Sequence, residues 1–322
     1  PPRSTLFPYT TLFRSIVLAG RPYHGDPFIN HDLAGYFTRQ GIPVIPLDAI
    51  PGVHKNTLKT VRLDVNNNFH TRILNAAAAV ARNPRLELVQ IVSFGCGHDA
   101  ILSDEMTRIL KDISDKTPLI LKLDESNTTG SLNIRTRSFV ETLHRKRAEL
   151  PPVTPRPLPD PYGVKYEKRH RKEKLILIPN LSVTFSTMAT SILRRQGVRV
   201  ERLPLADNQA FKLGKKYVHN DICFPAQINI GEFLNVLEKG LYKPEEVVFG
   251  VGKGICDCRY TQYGVLARKA LDDAGYPDIP IISTDKDTKG MHPGITLGTA
   301  FQYRMVWALC IGDALEAMLH RI

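Results

Sequence analysis

Five cysteines, Cys96, Cys223, Cys256, Cys258 and Cys310, are the side chains of this sequence best suited to chemistry. They are too few and too scattered for a disulfide framework, which points to a reducing compartment, the cytoplasm. There a cysteine in a glycine-rich loop is a metal or redox candidate. Cys96 stands between Gly95 and Gly97, directly after an apolar run. Glycines permit positive φ and close backbone approach, and they leave amide N–H groups free to hydrogen-bond cluster sulfides or to favour a thiolate. The plainer account of Cys96 is a small buried residue in a tight turn. Cys223 lies in Lys216-Tyr217-Val218-His219-Asn220-Asp221-Ile222-Cys223-Phe224-Pro225, where Asn, Asp and Pro signal a helix start. A helix over 226–239 would aim its positive end at this sulfur, with ligand and packing roles both open. Cys256 and Cys258 flank Asp257 in a second glycine-rich loop, whose glycines leave the two side-chain directions undetermined. Cys310 falls on an apolar helix over 303–319 and reads as core.

Three cysteines do not complete a tetrahedral all-thiolate site, and the paired CxxC or Cys/His spacing of structural zinc is absent. His24, His70, His98 and His219 could supplement the set, although a histidine near a turn reads first as a satisfied surface group. An iron–sulfur cluster with one iron open to substrate, or with a ligand from elsewhere, is the simpler account.

The elements that must position these residues occur twice in the same order. Ile16–Gly20 and Leu175–Pro179 are continuous apolar runs, the mark of strands buried on both faces. Each leads to a helical stretch closing at Gly41 or Gly197, then to a second strand, 42–47 or 198–203. Third strands over 88–94 and 247–251 run into the two cysteine loops. Helices over 104–113 and 263–274 and fourth strands over 119–123 and 281–283 follow. Cys96 precedes Pro118 by 22 positions and Cys258 precedes Pro280 by 22, so the register pairs Cys258, rather than Cys256, with Cys96. The expected fold is α/β, two Rossmann-like doubly wound parallel-sheet lobes related by an internal repeat, with ligands beyond the carboxyl ends of the strands. Two such lobes would turn their cysteine loops toward one cleft.

Hydrophobic residues at 43% and charged residues at 23% are ordinary globular composition, which excludes a disordered or collagen-like chain. No apolar run approaches the roughly 18–20 residues that cross a bilayer. The formal charge is +11, and residues 133–174 hold 12 Lys and Arg against 5 Asp and Glu. Six prolines over 150–162 keep the middle of that stretch out of helix and inner strand. It reads as a solvated linker, 148–173, between lobes over 16–147 and 174–322. Basic stretches also bind nucleic acid, but no finger spacing, helix-turn-helix pattern or aromatic interleaving accompanies this one, and nucleic acid is not the expected partner. Residues 1–15, PPRSTLFPYTTLFRS, have neither a signal-peptide core nor a cleavage site and read as a non-native leader.

The strings Ala19-Gly20-Arg21-Pro22-Tyr23-His24, Ser93-Phe94-Gly95-Cys96-Gly97-His98-Asp99-Ala100, Leu121-Lys122-Leu123-Asp124-Glu125, the run from Lys216 to Pro225, and Cys258-Arg259-Tyr260-Thr261-Gln262-Tyr263 together resemble the large bacterial 2-hydroxyacyl-CoA dehydratase activator proteins. The resemblance lies in the region those proteins share with dehydratase cluster-binding subunits and double-cubane-cluster proteins, and it covers nearly all of 16–322. It implies an oxygen-sensitive iron–sulfur cluster, 4Fe-4S or part of a double cubane, on cysteines matching Cys96, Cys223 and Cys258, with Cys256 as a further candidate. It also implies low-potential electron transfer from an ATP-hydrolysing activator domain or subunit to a difficult substrate such as an acyl-CoA, within a lyase or reductase system. ATP would bind only on that separate domain, since no Gly-x-x-x-x-Gly-Lys-Ser/Thr loop occurs here. Arg21, His24, Asn220 and Arg259, near strand ends, would hold substrate and cluster. Dimeric relatives make a homodimer a further expectation. The chain departs from the pattern at Ile255-Cys256-Asp257, where relatives carry glycines, and it lacks their additional upstream cysteines.

Overall fold

The computed structural model describes residues 14–55, 61–63, 65, 67–92, 98–123, 129–145, 160–254, 258–284 and 288–321. The chain divides into two compact units, Pro1–Leu158 and Pro159–Ile322.

In the first unit the order is β1 (Ser15–Ala19), α1 (Leu33–Thr38), β2 (Val44–Pro46), α2 (Asn68–Arg82), β3 (Leu86–Val92), α3 (Asp99–Ser114), β4 (Leu119–Lys122) and α4 (Thr129–Arg145). The strands form one parallel sheet in the order β2-β1-β3-β4. Successive side chains of a strand point to opposite faces, and β1 is apolar on both. Ile16 and Leu18 pack with Leu33 and Phe37 of α1 and Val140 and Leu143 of α4. Val17 and Ala19 pack with Ile73, Leu74 and Ala77 of α2 and Met106 and Leu110 of α3. The sheet is therefore covered by helices on both sides. The strand begins at Ser15, whose N–H donates to the Arg85 carbonyl at 2.8 Å. Arg14 already pairs with Glu87 at 3.3 Å, so the last two residues of the stretch read as a leader belong to the fold; residues 1–13 lie outside the described residues.

The second unit runs α5 (His170–Glu173), β5 (Leu175–Ile178), α6 (Val183–Arg194), β6 (Val200–Arg202), α7 (Asn208–Tyr217), α8 (Phe224–Glu238), β7 (Val247–Val251), α9 (Tyr263–Asp273), β8 (Ile281–Ser283), α10 (Thr288–Met291) and α11 (Thr299–Leu319). Its parallel sheet has the order β6-β5-β7-β8, the same relative order as the first. Phe249 of β7 stacks on Phe233 of α8 with ring centroids 4.4 Å apart, while Ile176, Val248 and Ile282 face Tyr166 and Ile295 on the other side. In each parallel sheet the direction of winding switches between the first and third strands, and the crevice at their carboxyl ends is where an open α/β sheet takes its ligand. Gly41 and Gly197 sit at φ of 77° and 73° just past α1 and α6, as their sequence positions predict.

Two expectations need correction. The stretch read as a solvated linker is only partly one: Tyr166 is wholly buried against the second sheet, and Gly294 N–H donates to its carbonyl at 2.7 Å. An aromatic ring and a glycine that admits it (a Cβ at Gly294 would meet the Tyr166 ring at 2.5 Å) tie this segment into the second unit. Cys310, read as core, is exposed, because α11 packs against the unit along one narrow stripe of Phe301, Ala308 and Gly312 and leaves the rest of its apolar circumference in solvent.

Candidate metal centre

The second unit sets one of the predicted thiols, Cys223, against a buried hydroxyl group and holds a second, Cys258, within electrostatic reach of it. Cys223 is the N-cap of α8, with Pro225 in the first turn, and its carbonyl accepts from Ala226 N–H at 3.0 Å. The preceding loop is held by Gln227, whose side-chain amide donates to the carbonyls of Asn220 at 3.3 Å and Ile222 at 3.1 Å. Helix α8 is fixed in turn by α7, since Gly214 and Gly231 let the two backbones touch: a Cβ at Gly231 would lie 2.0 Å from the Ala210 carbonyl oxygen. Cys258 caps the short 3-10 turn Arg259–Gln262 that leads into α9, and its sulfur is exposed. Thr261 closes that turn, with its N–H on the Cys258 carbonyl at 3.1 Å and its hydroxyl on the Gly254 carbonyl at 3.0 Å.

Tyr263 is the first residue of α9 and is buried apart from a small fraction of its surface. Its Oη is 3.2 Å from the Cys223 Sγ. Burial pushes the Tyr263 hydroxyl well above the usual tyrosine range, the Cys223 hydrogen bond and the charges of Cys223 and Cys258 push the same way, and only Arg259 opposes them. The hydroxyl therefore keeps its proton and can give it in a hydrogen bond to a sulfur. Tyr260, whose ring meets Tyr263 edge-on at 5.1 Å, is pushed up to about 12 by burial and by Cys258. Its hydroxyl lies against Gly252, just past the end of β7, where a Cβ would collide with it. Neither tyrosine was singled out by sequence reasoning; the three-residue spacing of two aromatics directly after Cys258 is the only signal of them.

In the first unit, Arg21 and His24 follow β1. Arg21 binds the Asp99 carboxylate through Nε at 3.3 Å and a terminal nitrogen at 3.0 Å, joining the exit of β1 to the start of α3. His24 is buried, and its Nδ1 accepts the Arg21 backbone N–H at 3.1 Å. Burial holds His24 below the ordinary histidine range, with Asp99 opposing and Arg21 adding to the effect. Both line a cavity of about 330 Å³ with Asn30, Asp32, Asp48 and Arg72. His70 and His98 are also buried, with ring centroids 5.0 Å apart, so these histidines are interior groups rather than the surface groups their turn positions suggested.

Cys96, in 93–97, and Cys256, in 255–257, lie outside the described residues. Of the other candidates, Arg259 adjoins the Tyr263 site, and Asn220 is exposed on the Gln227-clamped loop. Among the described residues, no three His, Cys, Asp or Glu side chains form a group that could hold a metal ion. The donor set that is described, the Cys223 sulfur on a protonated hydroxyl with the exposed Cys258 within its electrostatic reach, is compatible with thiolate ligands of a cluster. A second, mainly apolar cavity of about 530 Å³ opens at the carboxyl ends of β5, β7 and β8. Ile178, Leu193, Leu297 and Met305 line it, with Lys253 and Thr284 among its polar residues.

No family model matches the chain, and no curated protein matches it. Among solved structures, the C-terminus of E. coli RcsC, containing a linker region and a phosphoreceiver domain, aligns over 94% of each chain at 12% identity with a TM-score of 0.19. What the fold itself defines is an α/β protein of two four-stranded parallel sheets. Among its described residues, no helix is long and apolar enough to cross a membrane.

Proposed function

We propose that this chain is an iron–sulfur module of a 2-hydroxyacyl-CoA dehydratase-like system, built from two Rossmann-like lobes and taking a low-potential electron from an ATP-hydrolysing partner. The observation that carries the reading is the Cys223 sulfur at the start of α8, 3.2 Å from the Tyr263 hydroxyl, which also lies within the field of Cys258, 35 positions further along the sequence. Two further features support it. The sheets share one strand order, and Cys96 and Cys258 both follow the third strand of their unit in the sequence. Cys96, Cys223 and Cys258 would be the ligands. A bound cluster would supply one-electron chemistry. The protein's own contributions are the Tyr263 hydrogen bond to the Cys223 sulfur and the fixed start of α8 beneath it.

Anaerobic reconstitution with iron and sulfide tests this reading. The expected result is protein-bound iron and acid-labile sulfide in near-equal amounts with broad visible absorption. Cys96→Ser, Cys223→Ser and Cys258→Ser should each lower both. Iron content unchanged in all three variants overturns the assignment.

A second reading is a non-redox binding module of the same fold, and the apolar cavity at the end of the second sheet favours it, being of the size and lining that small-molecule sites have. An iron-free chain, stably folded after anaerobic purification, whose melting temperature rises with an apolar dye such as anilinonaphthalene sulfonate, would decide for it.

A further inference from the structure

The apolar cavity of the second unit lies at the carboxyl ends of β5, β7 and β8, where that sheet switches its direction of winding. Its floor is hollow for a reason visible in the strands. Ile176, Ile178 and Ile282 share one face of the sheet with Gly250 of β7, which stands among them without a side chain. A Cβ at Gly250 would meet the Ile176 and Ile178 methyl groups at 2.9 Å. Leu193 of α6 and Met305 of α11 contribute further apolar lining. At the roughly 30 Å³ that one water molecule occupies, the cavity of about 530 Å³ has room for about 15–20 non-hydrogen atoms.

The polar groups past the strand ends select the occupant. Lys253 lies in the cavity lining just beyond β7, and its backbone N–H donates to the Thr284 hydroxyl at 2.9 Å, which ties this loop to the end of β8. The Tyr260 hydroxyl, against Gly252, keeps its proton because burial and Cys258 push it up to about 12. Among the described residues it has no hydrogen-bond partner. No carboxylate stands among the described residues of the lining, and its one charged residue there is Lys253. Two donors at the end of an apolar space call for a ligand whose head accepts hydrogen bonds and carries negative charge, and a carboxylate does both. An amine would meet a like charge. A coenzyme A thioester has no charge at its acyl head, and its phosphates need more cations than this lining offers. We infer that the second unit binds a free carboxylic acid with an aliphatic body of about ten carbons, its chain over Gly250 and its carboxylate on Tyr260 and Lys253. The inference rests on the cavity of the second reading above and holds with or without a cluster.

Isothermal titration calorimetry of the full chain, iron-free and reconstituted, with decanoate, decanol and decanoyl-CoA tests the assignment. Decanoate should bind one per chain in both forms, at least about tenfold more tightly than decanol. Tyr260→Phe should weaken decanoate about tenfold, and Lys253→Met should bring decanoate to the affinity of decanol. Met305→Trp, which fills the apolar space, should abolish binding of both with an unchanged circular dichroism spectrum; Lys253→Met, at a loop position, carries the test if that variant does not fold. Overturning results are no decanoate binding, decanol or decanoyl-CoA binding as tightly as decanoate, or Lys253→Met without effect. Binding of anilinonaphthalene sulfonate without preference for decanoate over decanol would keep the cavity as a binding site and overturn the carboxylate.

Discussion

Tyr263 lies 3.2 Å from the Cys223 sulfur and within the field of Cys258, and its burial makes ionisation costly. Tyr260 beside it is held at about 12 by burial and the same Cys258 charge. An unfolded tyrosine ionises near 10. The folded hydroxyls are raised above that value, so their contribution is intact below about pH 10. It is lost as pH rises toward about 12, where the unfolded chain gives up protons first. Stability should therefore fall across this alkaline window, and Tyr260→Phe should flatten the fall. Tyr263→Phe should flatten it as well and should lower stability at pH 7 by about 1 kcal/mol, the net worth of one hydrogen bond. Urea melts between pH 7 and 11.5 read both quantities. An alkaline slope identical in wild type and both variants would remove the tyrosines from this account.

At the scale of elements, Cys223 is placed by the contact of α7 with α8. A Cβ at Gly214 would lie 2.1 Å from the Gln227 carbonyl oxygen, and one at Gly231 would press on α7 just as closely. Gly231→Ala must separate the helices, with an expected loss of about 1–3 kcal/mol and a displaced α8 start that lowers iron uptake. Gly197→Ala, strained by a φ of 73° but in a helix cap with open space around it, should cost about 1 kcal/mol or more and leave iron uptake intact. Thermal melts and iron analysis of the two variants separate local strain from site geometry. Much of this frame was legible beforehand. Continuous apolar runs gave β1, β3, β5, β7 and β8 to within a few residues, because a strand buried on both faces leaves no polar alternation. Helix α3 starts at Asp99 instead of 104, since the glycines before it read as a longer loop. The Tyr263 contact was not legible, because nothing local in sequence links residues 40 positions apart that meet only after the sheet is built. Nor was the exposure of α11, whose composition is that of a core helix.

Over the whole molecule, each unit carries a buried neutral histidine, and acid should unfold both. His292 is fully buried, its Nδ1 accepts the Tyr166 N–H at 3.1 Å, and burial lowers it to about 4. His24, under the exit of β1, is lowered chiefly by burial as well. An unfolded histidine protonates near 6.5, so both groups support the folded state above that value. Their contribution is lost as pH falls below 6.5, for His292 toward about 4, where the unfolded chain takes up protons that the folded one refuses. Glu232, raised by burial, works in the opposite direction and partly offsets the loss in the second unit. Glu105, buried between Arg62 and Arg108 and held below the usual carboxylate range, adds its own loss only at lower pH. His292→Gln should therefore reduce the pH dependence of β5–β8 between 6.5 and 4 while leaving that of β1–β4 unchanged, and His24→Gln should do the reverse. Hydrogen exchange read by mass spectrometry at pH 4.5 and 7 resolves the two sheets. Either variant altering both sheets equally would mean that the units unfold as one and that the two histidines act on a single equilibrium.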